Sequence, residues 1–167
     1  MTASAQSKTI LQENRQTMKA CELIKKYLTD RHPENGVFIE KHYVSDEPGR
    51  AASGSILYYV APGEFTEFHR IDCDEYWCHN AGADLEVWSF TPDGTLRKHI
   101  LGTSGQAEPF AFFRRGEIFA SRLPESSTDG ALITCINVPR FAYEGFEILD
   151  KEKMLELYPE SSGFWNL

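Results

Sequence analysis

His69 and Glu75 are the residues of this chain whose types and spacing could move a proton. They stand in the stretch Gly63-Glu-Phe-Thr-Glu-Phe-His69-Arg-Ile71-Asp-Cys-Asp-Glu75-Tyr-Trp77-Cys-His79-Asn-Ala-Gly82. Alternate side chains of a strand face the same way, so His69 and Ile71 share one face, and Glu75, Trp77 and His79 share a face of the next strand. A tight turn at Asp72 to Asp74 lets both faces line one lumen. A histidine and a carboxylate are expensive there unless a metal, a ligand or each other satisfies them. A free imidazole titrates at about 6.5, and a carboxylate beside it orients the ring and raises that value, which makes His69 a candidate general base assisted by Glu75. Simple mutual pairing, or solvation at the barrel mouth, is the competing reading.

Proton transfer across a substrate also needs an acid on the opposite side. Tyr58, Tyr59 and Tyr143 are the candidates, each equally compatible with core packing. Trp77, Phe119 and Phe141 could stack on a flat ligand, although aromatic residues in strands are more often plain core. Cys73, Cys78 and His79 match zinc spacing poorly and read as ordinary thiols beside a histidine. The turn Arg114-Arg115 could attract an anion but reads better as solvated.

The elements that must position these residues are short. A three-and-four spacing of Met18, Cys21, Ile24, Tyr27 and Leu28 predicts a helix over residues 17–29, closed by Pro33 and Gly36. Strand-like runs follow at 37–42, 55–60, 65–70, 75–79, 85–91, 96–101, 110–113, 118–123, 131–138 and 143–149, punctuated by Gly, Pro, Asn and Asp. Residues 151–158 predict a short helix with Asp150 as N-cap and Pro159 as its stop. Such a run of short strands specifies an all-β sandwich, jelly roll or barrel. Phe110, Phe112 and Phe113 cannot all face inward, and an outward aromatic suggests a contact between copies of the chain.

Composition narrows the partners. Among 167 residues, 25 acidic against 17 basic give a formal charge of −8, and the pI is near 5.1. That balance argues against nucleic acid and anionic membrane surfaces. No apolar run is long enough to span a bilayer, and the first residues lack a signal-like apolar core, so a soluble cytoplasmic protein is expected. Cys21, Cys73, Cys78 and Cys135 are too scattered for a disulfide framework and are expected as free thiols. One domain suffices: residues 17–158, with tails over 1–16 and 159–167.

The spacing from Gly63 to Gly82 reproduces the first signature of the cupin superfamily, G-x5-H-x-H-x3-E-x6-G, with Ile71 in the place of the second histidine. Together with Ile56-Leu-Tyr58-Tyr59, His32-Pro-Glu-Asn-Gly36 and Cys135-Ile-Asn-Val-Pro139…Phe146-Glu147, it resembles the small cupin type 5 branch, a domain of unknown function. The resemblance implies a jelly-roll β-barrel with an N-terminal helix and a short C-terminal helix, similar in fold to the sugar-nucleotide epimerases, and a homodimer or higher oligomer. Cupin metal sites resemble three histidines and a glutamate. In the second signature, P-x-G-x2-H, the glycine is Gly116 and the histidine position is Phe119. With only His69 and Glu75 left, no cofactor is expected; a divalent metal would need His79 as third ligand. The expected function is therefore binding of a small polar or aromatic metabolite, with isomerase or epimerase chemistry at His69 and Glu75. A metal-dependent oxygenase or isomerase using His69, Glu75 and His79, and a non-catalytic binding or assembly protein, are the alternatives.

Overall fold

The computed structural model describes residues 19–26, 30–44 and 48–166. Two antiparallel sheets pack into an all-β jelly roll. Across the first run β1 (Asp30–Arg31), β2 (Val37–Val44), β3 (Ser53–Val60), β10 (Ala131–Val138), β5 (Asp74–Gly82) and β8 (Phe110–Phe113). Across the second run β11 (Glu147–Ile148), β4 (His69–Arg70), β9 (Ile118–Arg122), β6 (Leu85–Phe90) and β7 (Leu96–Leu101). Helices α1 (Ala20–Lys26) and α2 (Lys151–Leu157) stand at either end of the described chain.

Strand alternation distributes the apolar residues over three layers. Between the sheets Tyr58, Val60, Trp77, Val87, Phe113, Phe119 and Ile133 form the main core. On the outer face of the second sheet Trp88, Phe90, Ile118 and Ala120 are covered by Leu149, Met154 and Phe164. On the outer face of the first, Tyr59 and Leu132 are covered by Ala20 of α1. A strand buried on both faces reads as continuously apolar, as β9 does, so its inward residue cannot be picked out by hydropathy.

Two glycines of the spaced motif have clear jobs. Gly63 (φ +73°) closes the turn after β3, where Glu64 N donates to Ala61 O at 3.0 Å. Gly82 (φ +93°) ends β5, and a Cβ there would collide with the Gly130 carbonyl.

Two expectations change. Of residues 65–70 only His69 and Arg70 join the ladder. Thr66 instead ties its backbone and hydroxyl to Ser121, its N–H donating to Ser121 O at 2.7 Å and its Oγ1 accepting from Ser121 N at 2.8 Å. Residues 143–149 split into a 3-10 turn at Tyr143–Gly145 and β11, because Gly145 N and Phe146 N bond back onto Ala142 O and Tyr143 O. Of the helix predicted over 17–29, residues 20–26 are helical, while 17–18 and 27–29 lie outside the described residues.

The C-terminus also departs from the expected tail. Asp150 caps α2 as predicted, accepting from Lys153 N at 2.8 Å. Beyond Pro159, however, residues Pro159–Trp165 form a 3-10 helix rather than trailing away. Phe164 is 1% exposed and its ring centroid lies 4.7 Å from that of Phe68 and 5.7 Å from that of Trp88. Arg122 secures the segment by donating to Gly163 O at 3.1 Å. Truncating Phe164 to Ala is expected to cost about 3–5 kcal/mol in urea unfolding, the usual range for a buried Phe. A loss below about 1 kcal/mol would make the segment an appendage rather than part of the core.

Candidate functional site

His69 is held by a partner that sequence reasoning passed over. The turn between β1 and β2, His32-Pro-Glu34-Asn-Gly36, uses positive φ at Asn35 (+81°) and Gly36 (+72°). It closes with His32 N donating to Gly36 O at 3.1 Å. This fold drives the Glu34 side chain inward to 5% exposure, where Oε2 lies 2.8 Å from His69 Nδ1. The backbone makes a second tie, since Glu67 N donates to Glu34 O at 2.9 Å and Glu67 O lies 2.9 Å from His69 Nδ1. Two oxygen acceptors at Nδ1 place a proton there, leaving Nε2 as the nitrogen available to a ligand.

The surroundings assign charges. Burial alone would lower the His69 imidazole, which is 2% exposed, but the Glu34 carboxylate beside it overrides that and raises it. Burial likewise pushes Glu34 up, and the charge and hydrogen bond of His69 bring it below the ordinary carboxylate value. His32, also near Glu34, behaves oppositely. Burial lowers its imidazole, and its Nδ1 accepts from Glu34 N at 3.4 Å, the role of a neutral ring. Glu34 thus favours the protonated form of His69, while burial favours the neutral form of His32.

Glu75 faces the same space without a cationic clamp. It enters from β5 opposite Asn137 of β10, is 7% exposed, and accepts from Trp77 Nε1 at 2.8 Å. Burial pushes its carboxyl up to about 7, with the charge of His69 and the Trp77 N–H pulling back part of the way. A carboxyl that titrates near neutrality inside a cavity can both accept and return a proton.

The cavity has a volume of about 520 Å³, within the range of small-molecule sites. Its floor carries His69, Glu75, Ile71 and Cys135; Glu34 and His32 flank it; Phe38, Phe141, Tyr143 and Phe146 supply aromatic lining; Arg140 and Glu40 also border it.

Of the residues singled out from sequence, His69, Glu75 and Phe141 meet in this cavity. Trp77 and Phe119 lie behind it in the core. Trp77 braces Glu75, and Phe119 packs edge-on to His69 with ring centroids 4.3 Å apart while stacking on Phe113 at 4.0 Å. Tyr58 points inward but is fully buried, and its hydroxyl donates to Asn35 O at 2.6 Å; burial and the nearby Glu34 keep it protonated. Tyr59, its neighbour in β3, necessarily faces the opposite way, toward α1. His79 does not line the cavity: it lies farther along β5, opposite Ile133, with its Nε2 3.0 Å from Ala83 O. Tyr143 lines the cavity as an exposed residue. Arg114 and Arg115 are exposed on their turn, and the four cysteines are free thiols. Glu34 is the functional candidate that was missed, although its turn had been noticed for its Pro and Gly.

These residues do not fit a protein-bound divalent cation. Ile71 and Phe119 offer no donor, His79 does not line the cavity, the Glu34 carboxylate is paired with His69, and Glu75 already accepts from Trp77. Among the described residues no group of three or more His, Cys, Asp or Glu side chains converges as a cation site.

Residues 21–149 match the family described as "Cupin superfamily (DUF985)", and the chain belongs to that family. Protein SO0799 from Shewanella oneidensis is similar to it with a TM-score of 0.79 and 27% identity, covering 87% of this chain and 94% of its own. A hypothetical protein from Leishmania major reaches 0.74 at 27% identity, over 86% of this chain and 94% of its own. Oxalate decarboxylase from Bacillus subtilis shares the fold, with a TM-score of 0.58 and 18% identity over 80% of this chain and 35% of the longer enzyme. No curated protein matches the chain. No helix among the described residues is long and apolar enough to cross a membrane.

Proposed function

We propose that this cupin binds a small polar or aromatic molecule in its cavity and shifts a proton within it, as an isomerase that uses no protein-bound metal. What carries the reading is one cavity bordered by two buried ionisable groups with opposite surroundings: a histidine whose protonated form the Glu34 carboxylate 2.8 Å away favours, and a carboxyl poised near neutrality. Glu75 as carboxylate removes a proton from the carbon next to a carbonyl, and the electron pair moves onto the carbonyl oxygen. The imidazolium of His69 meets that developing negative charge. Where the carbonyl carries an α-hydroxyl, that hydroxyl's proton passes to the former carbonyl oxygen and Glu75 returns the abstracted proton to the former carbonyl carbon, so that carbonyl and hydroxyl exchange places. His69, read from sequence as the base, takes the electrostatic role in this reading, because the Glu34 carboxylate beside it favours the protonated ring, whereas Glu75 can both ionise and take a proton back near neutrality. Epimerisation needs an acid on the other face; Tyr58 is committed to Asn35 O and Tyr59 lies outside, which leaves only the exposed Tyr143 of the cavity lining for that role, so isomerisation by one carboxylate is the simpler reading.

The test is hydrogen exchange in D2O with a panel of small carbonyl metabolites, followed by proton NMR. Loss of an α-proton signal with the wild type, and none with Glu75→Gln, is the expected result; exchange that persists undiminished in the variant sinks the assignment. Elemental analysis of untagged protein after exposure to iron, manganese, nickel and zinc should give well under one ion per chain. Stoichiometric metal would instead restore the metal-dependent reading.

The same reading includes a homodimer through β8, an edge strand whose Phe110 and Phe112 are 46% and 39% exposed beside Tyr76. A Phe110→Glu/Phe112→Glu protein should run as a monomer by light scattering where the wild type runs as a dimer.

A further inference from the structure

The charges around the cavity are unbalanced, and the imbalance bears on what can enter. Asp30, Glu34, Glu40, Glu75 and Glu144 supply five carboxyls to its lining. Among the described residues that line it, the only side chain that is a cation whatever the pH is Arg140. That guanidinium is already spent: Nε and Nη2 fork onto the Glu40 carboxylate at 2.8 and 2.9 Å. His69 is matched by Glu34 at 2.8 Å. Arg50, close enough to act on Glu144, forks onto Asp72 instead, at 2.7 and 2.8 Å. After these pairings Asp30, Glu75 and Glu144 form no ion pair among the described residues. An anionic ligand would therefore meet uncompensated carboxylates and no free cation, a like-charge juxtaposition that is costly when desolvated.

The apolar part of the lining points the same way. Phe141, Tyr143 and Phe146 form a cluster in which ring planes cross at 66°, 84° and 88° with centroids 5.0 to 6.4 Å apart, and Phe38 adds a fourth ring. Crossed rings present π faces in several directions, and a π face attracts an alkylammonium. Carboxylates and aromatic faces together select a positive head group on an apolar body, and each alone would not.

We infer that the ligand of this cavity is a small organic cation, an amine or quaternary ammonium compound with an apolar body, and that anionic metabolites are excluded. This rests on the cavity being the ligand site, as proposed above, and specifies the class of molecule that it takes. Glu75 and Glu144 would meet the cationic head, and the rings of Phe141 and Phe146 the body.

Three probes of similar shape and different charge test it: phenethylammonium, phenethyl alcohol and 3-phenylpropionate, titrated into the full chain by calorimetry and by saturation-transfer NMR. Phenethylammonium should bind at least about tenfold more tightly than the alcohol, with no detectable binding of 3-phenylpropionate. Glu75→Gln should reduce affinity for the cation about tenfold and leave the alcohol unchanged. Glu144→Gln, at an exposed position where folding is not at stake, should weaken the cation by a few-fold and flatten its salt dependence. Equal binding of all three, lost on Phe141→Ala, would overturn the cation preference and leave the cavity as the ligand site. Tighter binding of the carboxylate would likewise overturn it. No binding of any probe would remove both the cation inference and the site on which it rests.

Discussion

At pH 8 the Glu75→Gln protein is expected to resist urea better than the wild type by about 3 kcal/mol while losing all proton exchange. The argument begins with a carboxyl moved from an ordinary 4.5 to about 7 by burial. Its protonated form is the one that the fold prefers. The stability Glu75 contributes is therefore fully present below pH 4.5 and is lost as pH rises through about 7. Above that, the fold carries a buried carboxylate at a cost of about 1.4 kcal/mol per unit of displacement, or about 3 kcal/mol for this shift. Glutamine has the shape of the protonated acid, keeps an oxygen for Trp77 Nε1, and never ionises. Its advantage should vanish near pH 4.5 and grow through pH 7. Urea titrations at four or five pH values would trace this, and a variant no more stable than wild type at pH 8 would show that Glu75 is not held out of water. A residue whose removal stabilises the fold and abolishes chemistry is retained for the chemistry.

Glu34→Gln should act in the opposite sense. It keeps an acceptor near His69 Nδ1 but removes the charge that overrides burial. The His69 imidazole should fall from above the usual histidine value to below it, readable from the pH titration of its Cε1 proton by NMR. The sign for stability follows from both partners. A raised His69 stabilises below pH 6.5 and loses this as pH rises through its folded value; a lowered Glu34 stabilises above pH 4.5 and loses it as pH falls. The pair therefore contributes most between pH 4.5 and 6.5. Losing it there is expected to cost about 2 kcal/mol, below the full cost of stranding a buried charge because the imidazole can shed its proton. Exchange activity near neutrality should fall by roughly a hundredfold as the imidazolium that meets the oxyanion is lost. An unchanged His69 titration in Glu34→Gln would remove Glu34 from the site altogether.

Several parts of this architecture were readable before any coordinates. Strands expected at 37–42, 55–60, 75–79, 96–101, 110–113 and 131–138 are found at 37–44, 53–60, 74–82, 96–101, 110–113 and 131–138; β-branched and aromatic runs between turn residues mark them, because half-buried pleated surfaces demand those side chains. The Asp150 cap was legible because a short acidic side chain before a helix has one obvious donor to satisfy. Residues 65–70 misled because Thr66 replaces ladder bonds with hydroxyl bonds to Ser121, a substitution that no periodicity records. The C-terminal segment reads as a tail because Phe164 and Trp165 stand alone in a polar run, and their partners, Phe68 and Trp88 on the outer side of the second sheet, lie far away in sequence.

For the site, sequence alone determined an all-β class from its short punctuated strands and put His69 and Glu75 forward as a pair by strand alternation, while the jelly roll and the missing donors at Ile71 and Phe119 followed from the resemblance to the cupin signatures. Tertiary structure decided which of two adjacent tyrosines turns inward, that His79 lies beyond the cavity, and that Glu34 closes on His69. Alternation relates a residue to its neighbours but does not say which face is the lumen when both faces are buried. The meeting of Glu34 with His69 depends on how the turn between β1 and β2 lies against β4, a contact between segments distant in sequence.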